Sequence, residues 1–374
     1  MKIIGSAIVA LAMSAAVATA GGIDRTTFPY AVLFEKGRVL QLGFSSVRPS
    51  IGGTYSSTLT AFGGGQSQTG GMAENYSTLS FAYKADVNDR LSYAIFINSP
   101  YGADANYLQG FYTGLEAHWQ SDQIAAILKY KVADRVSVYG GLRYVKSSAN
   151  INIPAALFLT SPVPLGAYTA STNSDGQVGY VVGASYEVPD IALRIGLSYE
   201  TEITHTFDTQ ERFATLNGGA TIAGTTDIIL PQTVTLDFQS GVAKDTLVFG
   251  SVRWSEWSQW HVRPSYYNAV INDEVTGFDD DVITYQLGVG RRLNENVSVF
   301  ARIGYEKSNG GIASRLSPTD GLRSIGIGGS WTNDKVKITG GIEYVQLGDA
   351  VDGTDTRFTD NQAVGFGLSV LFSF

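Results

Sequence analysis

The chain lacks cysteine altogether, and its 374 residues include only three histidines and 16% charged residues. Without cysteine no disulfide bond can stabilise the fold, so stability has to come from chain length and from closure of the structure. His118, His205 and His261 have no metal-spaced partner, and we expect neither a metal site nor a cofactor. The net charge of −8 comes with no basic stripe, which argues against a nucleic-acid partner.

Long apolar runs are missing too, except at the N-terminus. After residue 20 no stretch approaches 18 consecutive apolar residues, which excludes helical membrane spans. The first twenty residues are typical of a secretory signal peptide: Met1-Lys2, an apolar stretch to Val17 and the cleavage site Ala18-Thr19-Ala20. The alternative is a transmembrane anchor, for which the apolar stretch is short. We therefore assign residues 1–20 to a signal peptide, 21–37 to a short plug-like segment and 38–374 to the main fold.

The dominant pattern in the sequence is an alternation, with period two, of apolar residues with small or polar ones. The chain is also rich in glycine, tyrosine and phenylalanine. From Val297 to Tyr305, for example, every second residue is apolar. Fourteen such segments can be counted, near 38–50, 74–87, 90–107, 115–132, 135–153, 176–188, 191–206, 231–242, 245–262, 281–292, 296–307, 321–332, 335–349 and 361–374.

The connections between these segments alternate between short turns and longer loops. An even number of strands, with short turns at one end and long loops at the other, predicts an all-β fold, a 14-stranded antiparallel transmembrane β-barrel. Eight residues of tilted strand rise roughly 20 Å, close to the height of the apolar band of such barrels. The alternative, a soluble β-sandwich, would need bulky residues on both faces, whereas the second face here is small or charged. This interpretation places the protein in the outer membrane of a Gram-negative bacterium, in contact with its lipid.

The last ten residues, GFGLSVLFSF, place large apolar residues at every second position. As a fourteenth strand they should pair with the first strand, near Arg38–Arg48, and close the wall. The terminal Phe374 resembles the signal read by the barrel-assembly machinery, which we expect as a partner during assembly. The inner face should hold residues of both charge signs: Lys129, Arg143, Arg194, Glu200, Glu202, Arg302, Lys337 and Glu343. They either line water or include a cation that receives an anionic head group.

Two features distinguish the chain from a plain pore. In SPYGADANY, Ser99 to Tyr107, Pro100 cannot donate a ladder hydrogen bond and Gly102 frees the backbone to kink. Either the wall breaks locally here, or the third strand ends before Pro100. The second feature is the apolar content of the loops at 153–168 and 216–230, which either bind an apolar ligand or pack together to cap the barrel.

Several stretches together resemble the FadL-type outer-membrane transporters of fatty acids and other hydrophobic compounds. They are SPYGADANY, RVSVYGGLRYVKSSANI, ALRIGLSYETEITHTFD, LPQTVTLDFQSGVAKDTLVFGSVRWSEWSQW, SPTDGLRSIGIGGSW and KVKITGGIEYVQLGD, and the likeness covers about residues 38–374. The resemblance implies capture of the ligand at outer loops, an inner site, and lateral exit through a gap in the third strand.

On this resemblance Pro100, Tyr101 and Gly102 mark the lateral opening, and Arg143 or Lys146 is the candidate partner of a ligand head group. The apolar loop groove is expected at Leu157, Phe158, Leu159, Ile228, Ile229 and Leu230. The N-terminal segment is shorter than the hatch usual in the family and lacks its Asn-Pro-Ala turn. Its expected plug contacts are Ile23, Phe28, Tyr30 and Phe34.

The resulting hypothesis is passive transport of hydrophobic small molecules, foremost long-chain fatty acids. The main alternative is a general or weakly selective aqueous porin, and a further one is a structural or adhesin-like surface protein. We expect no enzyme, because nothing singles out a Ser-His-acid set among the many serines. The acidic residues Asp273, Glu274 and Asp279–Asp281 either bind calcium or form a solvated loop.

Overall fold

The computed structural model describes residues 22–27 and 30–374, so the predicted signal peptide and Phe28 lie outside the described residues. Strands make up most of the regular secondary structure of the described part. In chain order they are β1 Val39–Ser50, β2 Tyr76–Asp86, β3 Leu91–Asn98, β4 Gly102–Asn106, β5 Glu116–Ala133, β6 Val136–Ile153, β7 Tyr168–Thr172, β8 Asp175–Val188, β9 Leu193–Glu200, β10 Ile203–Phe213, β11 Ile222–Leu230, β12 Thr233–Ala243, β13 Thr246–Ser255, β14 His261–Val262, β15 Thr276–Gly277, β16 Val282–Arg292, β17 Val297–Glu306, β18 Ile312–Ala313, β19 Leu322–Thr332, β20 Val336–Leu347, β21 Ala350–Asp352, β22 Arg357–Phe358 and β23 Gln362–Ser373.

In the part of the chain that the structure describes, helices are short. The α-helices are α1 Ser57–Phe62 and α2 Ser265–Ile271, and 3-10 turns include Tyr30–Phe34, Gly110–Tyr112, Ala155–Phe158, Pro189–Ile191, Leu216–Gly219 and Trp257–Gln259. Within the described residues, no helix is long and apolar enough to cross a membrane.

Eighteen strands form one antiparallel sheet that closes on itself. Four wall strands are interrupted and consist of two segments each, β3–β4, β7–β8, β9–β10 and β11–β12, so the wall has fourteen strands, as predicted. Closure occurs between β1 and β23, whose register runs from Val39 opposite Ser373 to Ser50 opposite Gln362. The last strand therefore pairs with the first, also as predicted.

The alternation seen in the sequence sorts side chains between the two faces of the wall. On β6, Leu142 and Tyr144 are exposed on the outer face, whereas Arg143 and Val145 between them are buried on the inner face. On β23, Phe366 and Leu368 are exposed on the outer face in the same way. Period two thus turns the apolar set outward and the small and polar set inward.

Asparagine side chains determine several of the short turns. The Asn88 side-chain oxygen accepts hydrogen bonds from the backbone N–H groups of Arg90 and Leu91, both at 2.9 Å. Asn294 and Asn333 form the same arrangement at the start of their turns. Such an Asx turn reverses the chain within few residues, which is why these connections stay tight.

At the other end of the barrel the wall continues beyond the expected strand ends. We predicted loops near 154–175 and 207–230, but β7, β10 and β11 extend through them and pair with one another and with β6. The prediction of loops was wrong here. The period-two pattern of β10 continues past residue 206, with buried Phe207 and Phe213 alternating with polar residues on the outer face. The segment predicted to run to 262 ends instead at Ser255, where the Trp257–Gln259 turn begins.

Candidate functional site

The wall is interrupted between its second and third strands. β2 and β3 pair from Asp86 opposite Ser92 to Phe81 opposite Ile97, and pairing resumes where Ala73 lies opposite Ala105. Between these points, residues 75–80 and 98–103 form no backbone hydrogen bond with each other. The barrel therefore contains a lateral break six residues long, in the half nearer the long loops.

Pro100 lies at the centre of this break. Opposite β5, three residues, 99–101, fit between the pairs Asn98–Gln123 and Gly102–Gln120, where β5 has only two. The extra residue is a β-bulge, which bends the strand and ends its pairing with β2. The third strand thus continues past Pro100 as β4, and of the two predicted alternatives the local break is the one observed.

The N-terminal segment occupies the break from the luminal side. Arg25 N–H donates to the Pro100 carbonyl at 2.7 Å, and Gly102 N–H donates to the Ile23 carbonyl at 2.8 Å. The Thr26 hydroxyl adds a bond to the Ser99 carbonyl at 2.7 Å. Backbone groups that a closed barrel would pair with β2 are therefore satisfied by residues 23–26.

Arg25 fills the space between the separated strands. Its guanidinium forms an ion pair with Asp104 and lies 4.1 Å from the centre of the Tyr76 ring on β2. A Cβ atom added to Gly102 would lie 2.2 Å from Arg25 Nε, so only glycine leaves room for this side chain. The preceding residue, Asp24, anchors the segment to the far wall through two hydrogen bonds from Arg253, at 2.7 and 3.0 Å.

An apolar pocket lies inside the barrel directly behind the break. The space between its lining atoms, with the open mouth included, is about 710 Å³. Ala103 and Ala105 of the broken strand and Ile23 of the N-terminal segment form one side, and Trp119 and Trp260 form another. Among the described residues that line the pocket, His118 is the only ionisable one.

Below this pocket, toward the short turns, the N-terminal segment lies inside the lumen. Tyr30, Val32 and Leu33 are buried in the lumen and pack against the inner-wall cluster that includes Phe96, Ile127 and Tyr139. The Tyr30 hydroxyl donates to Glu200 at 2.9 Å.

Phe34 completes this plug. Lys129 and Arg194 both lie over its ring, at 4.7 and 4.6 Å from the ring centre. Apolar packing and cation–π contacts therefore hold this segment against the inner wall of the barrel.

The two predicted head-group residues do not face the pocket. Arg143 is buried, and its guanidinium is already bound to Glu200 at 3.1 Å and to the Thr201 carbonyl at 2.6 Å. Lys146 is exposed on the outer face of β6, in line with Tyr144. Alternation along β6 explains the position of Lys146, because it lies three residues after Arg143 and therefore on the opposite face of the strand. Glu202, expected in the lumen, is also exposed.

The predicted apolar groove is divided between two places. Leu157 and Phe158 pack in the outer loop cluster, where Phe158 contacts Phe213 at 5.7 Å between ring centres, while Leu159 is exposed. Ile228 and Leu230 are buried on the inner face of β11, and Ile228 lines the pocket, whereas Ile229 is half-buried.

The acidic loop is bound to protein groups instead of forming a cation cage. Asp281 accepts from the Trp254 indole at 3.0 Å and from the Ser258 hydroxyl at 2.6 Å, and Glu274 pairs with His261 and Arg263. Among residues 22–27 and 30–374, no group of three or more acidic or histidine side chains is placed to hold a metal ion.

Sequence reasoning missed the residues that fill the break. We predicted plug contacts from apolar residues alone, and Ile23 indeed packs beside Tyr101 and Trp257. The charged neighbours Asp24 and Arg25 were passed over. Two opposite charges inside a short apolar segment were the available signal, since buried charges need partners.

Comparison with known proteins agrees with this geometry. Residues 5–374 match the family model of the outer membrane protein transport protein (OMPP1/FadL/TodX). No sequence among the curated proteins matches the chain significantly.

Solved structures share the fold at low identity. A FadL homologue from Pseudomonas aeruginosa has a TM-score of 0.72 at 14% identity, covering 92% of each chain. The toluene transporter TodX of Pseudomonas putida has a TM-score of 0.63 at 13% identity, covering 97% of each chain. The toluene transporter TbuX of Ralstonia pickettii has a TM-score of 0.60 at 14% identity, covering 91% of this chain and 90% of that one.

Proposed function

The chain belongs to the OMPP1/FadL/TodX family of outer-membrane transport proteins, which carry hydrophobic compounds across the outer membrane of Gram-negative bacteria, and we propose that it does so by a lateral route. In this route the ligand is captured among the outer loops, occupies the apolar pocket, and leaves through the break between β2 and the third strand into the outer membrane. The protein acts passively and needs no cofactor.

The observation that carries this proposal is the contact between pocket and break. Ile23 and Ala103 line the pocket and also border the break, so residues 23–26 lie between a ligand in the pocket and the break in the wall. Toward the short turns, Tyr30, Leu33 and Phe34 of the N-terminal segment pack inside the lumen. In this proposal they obstruct the axial route, and a hydrophobic compound leaves the pocket sideways.

The pocket lining favours an uncharged ligand over the long-chain fatty acids that we first expected. A buried carboxylate is best stabilised by a fixed cation, and no lysine or arginine is among the described lining residues, where His118 is the one ionisable group. Arg143 is bound to Glu200. TodX and TbuX are described as toluene transporters, and a compound of that class, an aromatic hydrocarbon, suits the lining of alanine, isoleucine and tryptophan.

Uptake of labelled toluene and labelled palmitate, by cells with and without the protein, tests the proposal. We expect the protein to accelerate toluene uptake more than palmitate uptake. Ala149→Phe fills the pocket and should abolish the acceleration, while Ser148→Phe, on the outer face of the same strand, should leave it intact. Equal uptake with and without the protein would refute the transport function.

The alternative of an aqueous porin is tested by conductance in planar bilayers. With Tyr30–Phe34 filling the lumen, we expect no large stable openings. Large openings in the unmodified protein would favour the porin.

A further inference from the structure

A lid covers the pocket on the side of the long loops. This lid, residues 261–277, begins with β14, continues through α2 and ends with β15, which pairs back with β14. Val262 and Thr276, one from each strand, line the pocket, and so do Pro264 and Val275. The position of the lid therefore sets the height of the space available to a ligand.

One buried carboxylate holds α2 in place. Glu211 on β10 is fully buried and accepts backbone N–H bonds from Tyr266 at 2.9 Å and from Tyr267 at 2.7 Å. It also accepts from the Ser265 hydroxyl at 3.3 Å and from the Tyr168 hydroxyl at 2.8 Å. Both oxygens are thus used, and three of the four donors belong to the first turn of the lid helix.

Glu211 has no ion-pair partner among the described residues. A buried carboxylate without a cation is costly unless hydrogen-bond donors surround it, so the closed lid and the charged carboxylate stabilise each other. Opening the lid would remove three of the four hydrogen-bond donors from this carboxylate. These hydrogen bonds therefore favour the closed position of the lid and fix the orientation of α2.

The neighbouring strand is shaped for the same contact. A Cβ atom added to Gly224 on β11 would lie 2.4 Å from the Ser265 hydroxyl oxygen, so glycine at this position lets the start of α2 approach β10 and β11. The ring of Tyr267 then contacts that of Tyr168 edge to face, with 4.8 Å between the ring centres, beside the carboxylate.

We propose that Glu211 is a positioning residue that keeps the lid closed over the pocket and thereby sets the size of ligand that the protein carries. This inference rests on the proposed function, because it takes the pocket as the ligand site. It assigns ligand selectivity to a residue that does not line the pocket and that acts on the ligand only by holding the lid.

The test compares Glu211→Gln with Asp280→Asn, a control that removes an exposed carboxylate just beyond the lid. Glutamine keeps the shape but cannot accept both backbone N–H bonds with its amide, since one end is itself a donor. In the purified barrel, Glu211→Gln should raise amide hydrogen exchange in residues 265–271 by roughly tenfold or more, and Asp280→Asn should not.

In cells, the same variant should raise uptake of biphenyl relative to toluene several-fold, with the control at the ratio of the unmodified protein. Gly224→Ala displaces Ser265 without changing the carboxylate and should shift both readouts in the same direction, which covers the case that Glu211→Gln fails to fold. Unchanged exchange in the lid, or raised exchange with an unchanged uptake ratio, would overturn the inference. If the unmodified protein takes up neither compound, the transport function fails, while the exchange data still decide whether Glu211 anchors the lid.

Discussion

Two interfaces of the barrel wall, with the β1–β2 pair between them, are built in opposite ways. The seam between β23 and β1 is paired along twelve consecutive residues and relies on backbone hydrogen bonds. The interface between β2 and the third strand loses its pairing over residues 98–103, and a separate segment with charged side chains occupies it. A backbone ladder closes a wall permanently, whereas side chains and a short segment can be displaced. The difference therefore separates the part of the wall that holds the barrel together from the part that can open.

The largest effect should come from breaking the ladder at the seam. Ser46 on β1 lies opposite Phe366 of β23, and alternation from the hydrogen bond of Phe374 N–H to the Arg38 carbonyl directs the Ser46 N–H toward β23. Ser46→Pro removes this N–H from the ladder of the seam, and we expect it to abolish most barrel assembly. Pro100, in contrast, lies where the wall is interrupted. The fraction of protein that stays folded in SDS without heating measures the effect, with Ser46→Thr as the control, and normal folding of the proline variant would contradict this account.

Loosening the segment in the break should have the next largest effect. Asp24→Asn weakens the two hydrogen bonds from Arg253 and leaves that guanidinium in a buried place, where loss of one partner costs about 3–5 kcal/mol. We expect faster hydrogen exchange at the Gly102 amide, which donates to Ile23, and no change at the seam. Equal exchange at Gly102 in both proteins would show that Asp24 does not hold the segment.

A smaller effect is expected from emptying the break while leaving its segment in place. Arg25→Ala removes the ion pair with Asp104 and the contact with Tyr76, and we expect uptake of toluene to rise several-fold. Arg25→Lys keeps the charge but loses the planar stacking, so its uptake rate should be intermediate. Lower uptake in the alanine variant would mean that Arg25 guides ligands instead of filling the gap.

The smallest effect concerns the end of the chain. Phe374 is exposed beyond β23, and its N–H donates to the Arg38 carbonyl at 3.0 Å. Deleting Phe374 should lower the yield of assembled barrel, while each barrel that does assemble transports at the normal rate. If the transport rate per folded barrel fell together with the yield, Phe374 would have a role beyond assembly.

The sequence predicted the wall far better than the site. Alternation and turn residues such as Asn88 gave the strand number, the closing pair and most strand limits, because period two and local turn chemistry depend on neighbours in the chain. Pro100 located the break for the same reason. The partners Arg25–Asp104, Asp24–Arg253 and Glu211 with α2 join residues 54 or more positions apart, and no local pattern encodes which of them meet.

The two head-group candidates also show that local sequence does not predict which residues meet in the fold. Arg143 and Lys146 were chosen for their charge, but strand alternation alone separates them onto opposite faces. That Arg143 is already paired with Glu200 depends on β9, which only the closed barrel places beside it.

The most direct test of the lateral route is to close the break and measure uptake. Pro100→Val with Gly102→Val restores a strand-forming sequence, and Arg25→Ala must accompany them, because a side chain at 102 would collide with Arg25. The triple variant should assemble normally, as judged by its resistance to SDS, and should carry toluene at least roughly tenfold more slowly than Arg25→Ala alone. An assembled triple variant with the uptake rate of Arg25→Ala would contradict the lateral route.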